Sequence, residues 1–355
     1  MHTPIDACSK AFAASLLLVA AALLPRPAFA CATCGCTLSA DGAMGYSASA
    51  GWNVNLLYTY INQDQLRGGT GTVSPAQVVN NPTTGELEHE TINRLFTMSL
   101  GYSPNAEWRL NLQIPYLVRT HSSYTDTTSA PFDASQLDSA NLSASRSSSL
   151  GDVRFIVGYQ GWLPTHNLGA QLGVKLPTGD YGGPDASGTG VVGRNPVTFA
   201  SGPSAGELLD TSLQPGTGST DLIVGGYYYQ AISQDFDAFI NGQFQGAVAQ
   251  KLDQPGADFR PGNLAVVSAG LRYEADPKIV PQLQINLSRK SHDQGALADS
   301  QDSAGTVAYL SPGVTLRAAD RMYVYGFVQI PVYSNLDGYQ LFPHWTATVG
   351  LNYGL

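Results

Sequence analysis

Three cysteines, Cys31, Cys34 and Cys36, fall within six residues near the start of the chain. Three thiolates this close suit a soft metal such as Cu(I) or zinc. They equally suit a disulfide, which leaves one thiol over because the count is odd. A lipid on Cys31 is a third use. No His follows the Cys-x-x-Cys pair, so c-type haem attachment is excluded on spacing, and no βαβ pattern surrounds it, as a thioredoxin-like site would need. The fourth cysteine, Cys8, lies in what reads as an export signal.

The remaining chemistry-bearing residues form no constellation. His2, His89, His121, His166, His292 and His344 are scattered, no two at ligand spacing. The segments nearest to a Ser–His pair are His121-Ser122-Ser123 and His344-Trp345-Thr346, and neither sets the two groups side by side on one face. No Gly-rich phosphate loop, paired-carboxylate motif or calcium repeat is present. The sequence therefore predicts no enzyme, no catalytic residue and no cofactor beyond a soft metal on the cysteine cluster.

The elements that would carry such residues are strands. Residues 1–30 have Lys10, an apolar run from Ala11 to Leu24 and a small-x-small end at Ala28-Phe29-Ala30, the pattern of a secretory signal. Residues 31–46 form a short Cys-containing segment, and 47–355 are expected to be one β-domain. There the apolar period is two. Trp52, Val54, Leu56, Tyr58 and Tyr60 share one face, and Asn53, Asn55 and Thr59 the other. Later segments repeat the pattern, with Leu110, Leu112 and Ile114 against Arg109, Asn111 and Gln113. Likewise Leu283, Ile285 and Leu287 oppose Gln282, Gln284 and Asn286.

About twelve such strands can be counted, joined alternately by long and short connections. The long ones are expected near 64–90, 121–148 and 179–216. An even number of antiparallel strands with aromatic tips, short periplasmic turns and long extracellular loops predicts an outer-membrane β-barrel. Only 13% of residues are charged, against about 25% in soluble domains. The net charge of −9 argues against nucleic acid, which needs clustered Lys and Arg. Outer-membrane lipid, the barrel-assembly machinery and a small-molecule solute are the implied partners. A periplasmic partner is added if the cysteines hold metal. With the apolar faces in lipid, the residues that line the lumen are Asn53, Asn55, Arg109, Asn111, Gln113, Lys175, Asn241, Gln243, Gln245, Gln282, Gln284 and Asn286. Such an interior is either a hydrogen-bonded filling or a narrow path for a polar or amphipathic solute.

Three segments carry a family resemblance: Gly151-Asp152-Val153, Leu176-Pro177-Thr178-Gly179-Asp180, and Leu213-Gln214-Pro215-Gly216-Thr217-Gly218-Ser219-Thr220-Asp221. In this order they resemble the meta-pathway phenol-degradation family of outer-membrane proteins. The resemblance covers roughly 45–355. It implies an outer-membrane channel or transporter fold whose substrate is not established, and the cysteine cluster is no part of it. Together with the polar lumen face, the expected function is a channel or transporter passing small solutes by facilitated diffusion. The alternative expectation is a barrel that serves a periplasmic metal or redox partner through Cys31, Cys34 and Cys36.

Overall fold

The computed structural model describes residues 50–79, 86–125 and 137–355. Cys31, Cys34, Cys36 and the expected boundaries of the signal and the Cys segment lie outside the described residues. In chain order the strands begin with β1 Gly51–Gly69, β2 Gly71–Thr72, β3 Glu86–Ser103, β4 Trp108–Thr125, β5 Leu142–Leu150 and β6 Arg154–Tyr159. They continue with β7 Leu168–Lys175, β8 Tyr181–Pro184, β9 Val191–Arg194, β10 Ser219–Ala231, β11 Phe236–Gln250, β12 Asp253–Gln254 and β13 Ala257–Asp258. The last four are β14 Leu264–Tyr273, β15 Ile279–Lys290, β16 Gly305–Ala319 and β17 Met322–Gly354. One short helix, α1 Pro75–Val79, follows β2.

Among the described residues, eleven strands form a closed antiparallel ring: β1, β3, β4, β6, β7, β10, β11, β14, β15, β16 and β17, with β17 returning to β1. Closure leaves no free sheet edge in lipid, where unpaired backbone groups would be costly. β2 and β5 attach at its margin, and β8–β9 and β12–β13 are small hairpins beside it. β17 is 33 residues long. Its first limb, up to Leu336, pairs with β16, and its second, from Leu336 on, pairs with β1.

The outer face explains why these segments are strands. Leu56, Met98, Leu172, Leu283 and Ile285 each leave between 44% and 57% of their surface open, all on the outside. A wall this apolar is matched to hydrocarbon. Rings cap it at two heights. At the short-turn end Trp52 packs on Tyr102 at 4.5 Å, Trp108 on Tyr159 at 4.8 Å and Phe236 on Tyr273 at 5.0 Å. Higher up, Tyr58 packs on Phe96 at 4.9 Å and Tyr60 on Trp345 at 5.8 Å. Arg94 lies 5.9 Å from the Tyr60 ring, a cation held at the girdle where its head can reach water. Trp52 to Tyr60 spans about 26 Å along the strand, enough for a tilted crossing of the roughly 25 Å apolar band of such barrels. No helix among the described residues is long and apolar enough to cross a membrane.

Inside, the glycines and aromatics serve each other. A Cβ on Gly169 would lie 2.3 Å from the Tyr227 ring, and one on Gly350 would lie 2.1 Å from the Tyr325 ring. Phe239 over Gly270 and Phe327 over Gly313 repeat the arrangement, at 2.7 and 2.1 Å. Each ring occupies the space over a glycine on a facing segment, where a side chain would collide with it. Part of the chain's 38 Gly and 18 Tyr is thus an interior packing device.

The segment 121–148, expected as a loop, is strand at both ends: β4 runs to Thr125 and β5 fills Leu142–Leu150. Its sequence, Leu-Ser-Ala-Ser-Arg-Ser-Ser-Ser-Leu, has no apolar face. Ser143, Ser145 and Ser147 are buried on the inside, while Arg146 is exposed on the outside. A strand that rises past the hydrocarbon needs no apolar face, so the alternation that marks the others is absent.

The wall is interrupted at this place. β4 pairs with β5 over Tyr116–Tyr124 and with β6 over Trp108–Gln113, and Gly151-Asp152-Val153 forms the break between β5 and β6. β7 pairs with β6 but ends at Lys175, so no barrel strand lies against the far edge of β5. The long connection 176–218 covers that edge instead, bridging at Ala144–Ser201, with Ala200 N donating to Ala144 O at 2.8 Å.

Candidate functional site

The ring encloses a cavity of about 410 Å³. Of the expected lumen residues, Asn53, Asn55, Arg109, Asn111, Gln113, Lys175, Asn241, Gln243 and Gln245 line it. Gln282, Gln284 and Asn286 also point inward, but they are packed and outside the cavity. Gln282 Nε2 donates to Thr315 Oγ1 at 2.7 Å and Asn286 Nδ2 to Ser311 Oγ at 2.7 Å. The interior is therefore divided: a dense polar filling along β15 and β16, and a void along β4, β6 and β11.

Other lining residues were not singled out from the sequence. Arg119, Arg154, Asp152, Asp221, Lys290 and Asp293 all face the cavity. Arg119 could have been found by parity. It continues the column Arg109, Asn111 and Gln113, but Pro115 and Leu117 interrupt the polar pattern between them. Arg119 is 6% exposed; its Nε donates to Asn93 Oδ1 at 2.6 Å and its Nη1 to the Leu213 carbonyl.

The three family-like segments meet at one point of the lumen wall. Lys175 Nζ lies 2.9 Å from Asp221 Oδ2 and 3.3 Å from Asp152 Oδ2, with all three side chains at least nine-tenths buried. It also donates to Thr217 Oγ1 and Ser219 Oγ. Asp152 accepts from Gly179 N at 3.1 Å and Thr217 N at 3.0 Å. Asp221 accepts from Gln245 Nε2 at 2.6 Å. Thr178 Oγ1 donates to Gly151 O and accepts from Val153 N, tying the break in the wall to the end of β7.

Two glycines make this convergence sterically feasible. A Cβ on Gly179 would lie 2.9 Å from Gly216 Cα, and one on Gly216 would lie 2.7 Å from Asp152 Oδ1. The two ends of the 176–218 connection pass back to back, so these glycines are fixed by contact distance. The Pro-Thr-Gly and Gln-Pro-Gly-Thr-Gly spacings are parts of one joint. Above it, Phe199, Leu209 and Leu213 form a small apolar core within the same connection.

At the rim, outside the crossing segments, Asp302 sits in the connection after β15. Its Oδ1 accepts from Tyr339 N at 2.7 Å. Burial, followed by the neighbouring Asp299 charge, pushes its carboxyl up to about 6 from the usual 3.8. A carboxyl that holds its proton more tightly when folded stabilises the fold at low pH. That contribution is fully present below about pH 4 and lost as pH rises through 6. The rim is therefore expected to be less stable at pH 7 than at pH 5, read as the protection of the rim amides after correction for the intrinsic pH dependence of exchange, and Asp302→Asn is expected to flatten that difference. Equal protection at both pH values in the unsubstituted protein would contradict it.

Among the described residues no group of His, Cys, Asp and Glu is placed to hold a metal ion. His121 is 2% exposed, and its Nδ1 lies 2.8 Å from Thr91 Oγ1. His344 Nε2 is 3.6 Å from Asp64 Oδ1 and His292 Nε2 is 2.9 Å from Asp337 Oδ2, and both imidazoles remain exposed.

No family model and no curated protein sequence matches the chain. Solved structures do. An outer-membrane channel from Pseudomonas putida F1 is similar with a TM-score of 0.59 at 12% identity, over 88% of this chain and 98% of that one. The β domain of the Bordetella autotransporter BrkA scores 0.45 at 11% identity, over 86% and 100%. The toluene transporter TbuX of Ralstonia pickettii scores 0.43 at 10% identity, over 92% and 97%. The fold is that of a Gram-negative outer-membrane channel barrel, and its apolar belt and aromatic girdles place this chain in that membrane.

Proposed function

We propose that the protein is an outer-membrane channel that passes small solutes by facilitated diffusion. One observation carries the reading: a closed, lipid-facing barrel encloses a cavity of about 410 Å³ with polar side chains around it. A barrel with a purely structural role gains nothing from leaving that space unfilled, since voids forfeit packing. Likeness of fold to the Pseudomonas channel supports the reading.

Counting the two limbs of β17 separately makes twelve crossings, so both ends of the barrel fall on one side. On this reading that side is periplasmic, the tight turns such as 104–107 and 232–235 face the periplasm, and 176–218 faces outward. The outward connection narrows the path because Arg119 and Asp152 fasten it to the inner wall. The resemblance in the three converging segments supports a transporter-like barrel of the phenol-degradation type, and the joint they form fits a shared construction.

Purified protein in planar bilayers is expected to give small, stepwise conductances. Shortening the connection at Ser212–Gln214, where it lines the cavity, is expected to raise the unit conductance severalfold, since pore width at the constriction limits flow. The absence of steps in both forms would remove the channel reading.

A further inference from the structure

On the outer face of β3, β4 and β5 the outward side chains change character row by row. One row, Phe96–Tyr116–Leu150, is apolar and exposed. The next is Arg94–Val118–Ser148, and the one above it Ile92–Thr120–Arg146. The last is Glu90–Ser122–Ala144. Rows are two residues apart, about 7 Å along the strand. Within roughly 20 Å the wall thus passes from apolar to cationic to rich in hydroxyls.

Arg94 and Arg146 stand on either side of β4, two strands and one row apart, which sets their Cα atoms about 12 Å from each other. The short side chains of Val118 and Thr120 lie between them, so both guanidinium groups can converge on one group seated over β4. Among the described residues neither guanidinium has a hydrogen-bond or ion-pair partner. Arg94 rests over the Tyr60 ring, and Arg146 is exposed. Two open cations side by side, on a chain of net charge −9, are matched to an anion from outside the chain. Just above, Glu90, Thr120, Ser122 and Arg146, with Ala200 and Ser201 of the 176–218 connection, line a depression of about 390 Å³. Hydroxyls that both donate and accept, beside a carboxylate that only accepts, form a set that suits the hydroxyl groups of a sugar.

We propose that this face is a binding site for the phosphorylated glycolipid of the outer leaflet. Its acyl chains lie on Phe96, Tyr116 and Leu150, a phosphate is held between Arg94 and Arg146, and a sugar enters the depression beside Glu90. The order of the rows is the order of those groups from the middle of the leaflet to its surface. A guanidinium meets a phosphate through two parallel charge-assisted hydrogen bonds, and its long stem lets the charge sit at headgroup level while the Cα stays at the girdle. The inference rests on the orientation given above, with 176–218 facing outward, and not on conduction through the lumen.

The test is native mass spectrometry of the purified full chain in detergent, titrated with diphosphoryl lipid A. Saturable binding of a single lipid A is expected. Arg94→Gln with Arg146→Gln is expected to weaken it on the order of a hundredfold, about tenfold for each guanidinium. Lipid A stripped of its phosphates is expected to bind the unsubstituted protein as weakly, and phosphatidylglycerol, an anionic lipid without the sugar, about tenfold less tightly than lipid A. Lys278→Gln with Arg321→Gln, the same change of charge at exposed positions of the short-turn end, is expected to leave binding unchanged. Undiminished binding by the Arg94 and Arg146 variant, or equal binding of the phosphate-free lipid or of phosphatidylglycerol, would overturn the proposal, and the two lipid comparisons need no variant. The orientation is read separately: Val191→Cys, exposed on β9, is expected to react with a membrane-impermeant maleimide on intact cells, above the level of the unsubstituted protein. Without that labelling the orientation falls and the site with it; labelling without lipid A binding overturns the site alone.

Discussion

Lys175→Met is expected to destabilise the barrel by about 3–5 kcal/mol, the usual result of removing one partner from a buried ionic cluster. Lys175 neutralises two carboxylates, Asp152 and Asp221, that are both almost fully buried. Without it they stand as like charges in a medium that solvates them poorly, and they must either protonate or draw in water. The cost falls at the joint beside the break between β5 and β6, so the 176–218 connection should loosen first. Urea unfolding in micelles should show a lower midpoint, and protease should nick the connection earlier. Adding Asp221→Asn to Lys175→Met should recover part of the loss, because it removes one of the stranded charges. A double variant no more stable than the single one would mean that the ionic cluster is not what holds the joint.

Leu283 and Gln284, adjacent on β15, are expected to respond in opposite directions. Leu283 faces lipid with 46% of its surface open. Leu283→Arg is expected to cost about 2–4 kcal/mol near the bilayer midplane. Gln284 faces inward, fully buried, and neither its Nε2 nor its Oε1 has a hydrogen-bond partner among the described residues. Gln284→Leu is therefore expected to be neutral or stabilising by about 1 kcal/mol, since it removes an unsatisfied buried amide. Folding into lipid vesicles, with equilibrium unfolding for each variant, measures both. If Gln284→Leu proved the costlier of the two, the assignment of inside and outside along β15 would be reversed.

The expected lumen residues were legible because lipid imposes a strict period of two: Asn53, Arg109 and Gln243 oppose apolar neighbours, and that opposition is visible without coordinates. β5 was not legible, since a strand standing clear of the hydrocarbon can be written entirely in serine. Arg119 was hidden for a related reason. Pro115 and Leu117 put apolar side chains on the inward face, and alternation then no longer tells inside from outside. Nor does anything in the chain order place His344 near Asp64, or His292 near Asp337.

The sequence by itself determined the kind of fold: alternating apolar faces, aromatic tips and alternating connection lengths leave a membrane barrel as the arrangement that satisfies both the side chains and the backbone. Only the tertiary structure decided where that barrel is filled and where it is hollow. The sequence shows Gln243 and Gln284 as equivalent inward amides, yet one lines the cavity and the other is packed against β16. It likewise shows Asp152, Lys175 and Asp221 as isolated charges at strand ends. Pairing β7 with β6 on one side and β10 on the other brings them together, because Lys175 stands opposite both Arg154 and Asp221. Periodicity is a local property of the chain, whereas the meeting of strand ends depends on the register between strands separated by long connections.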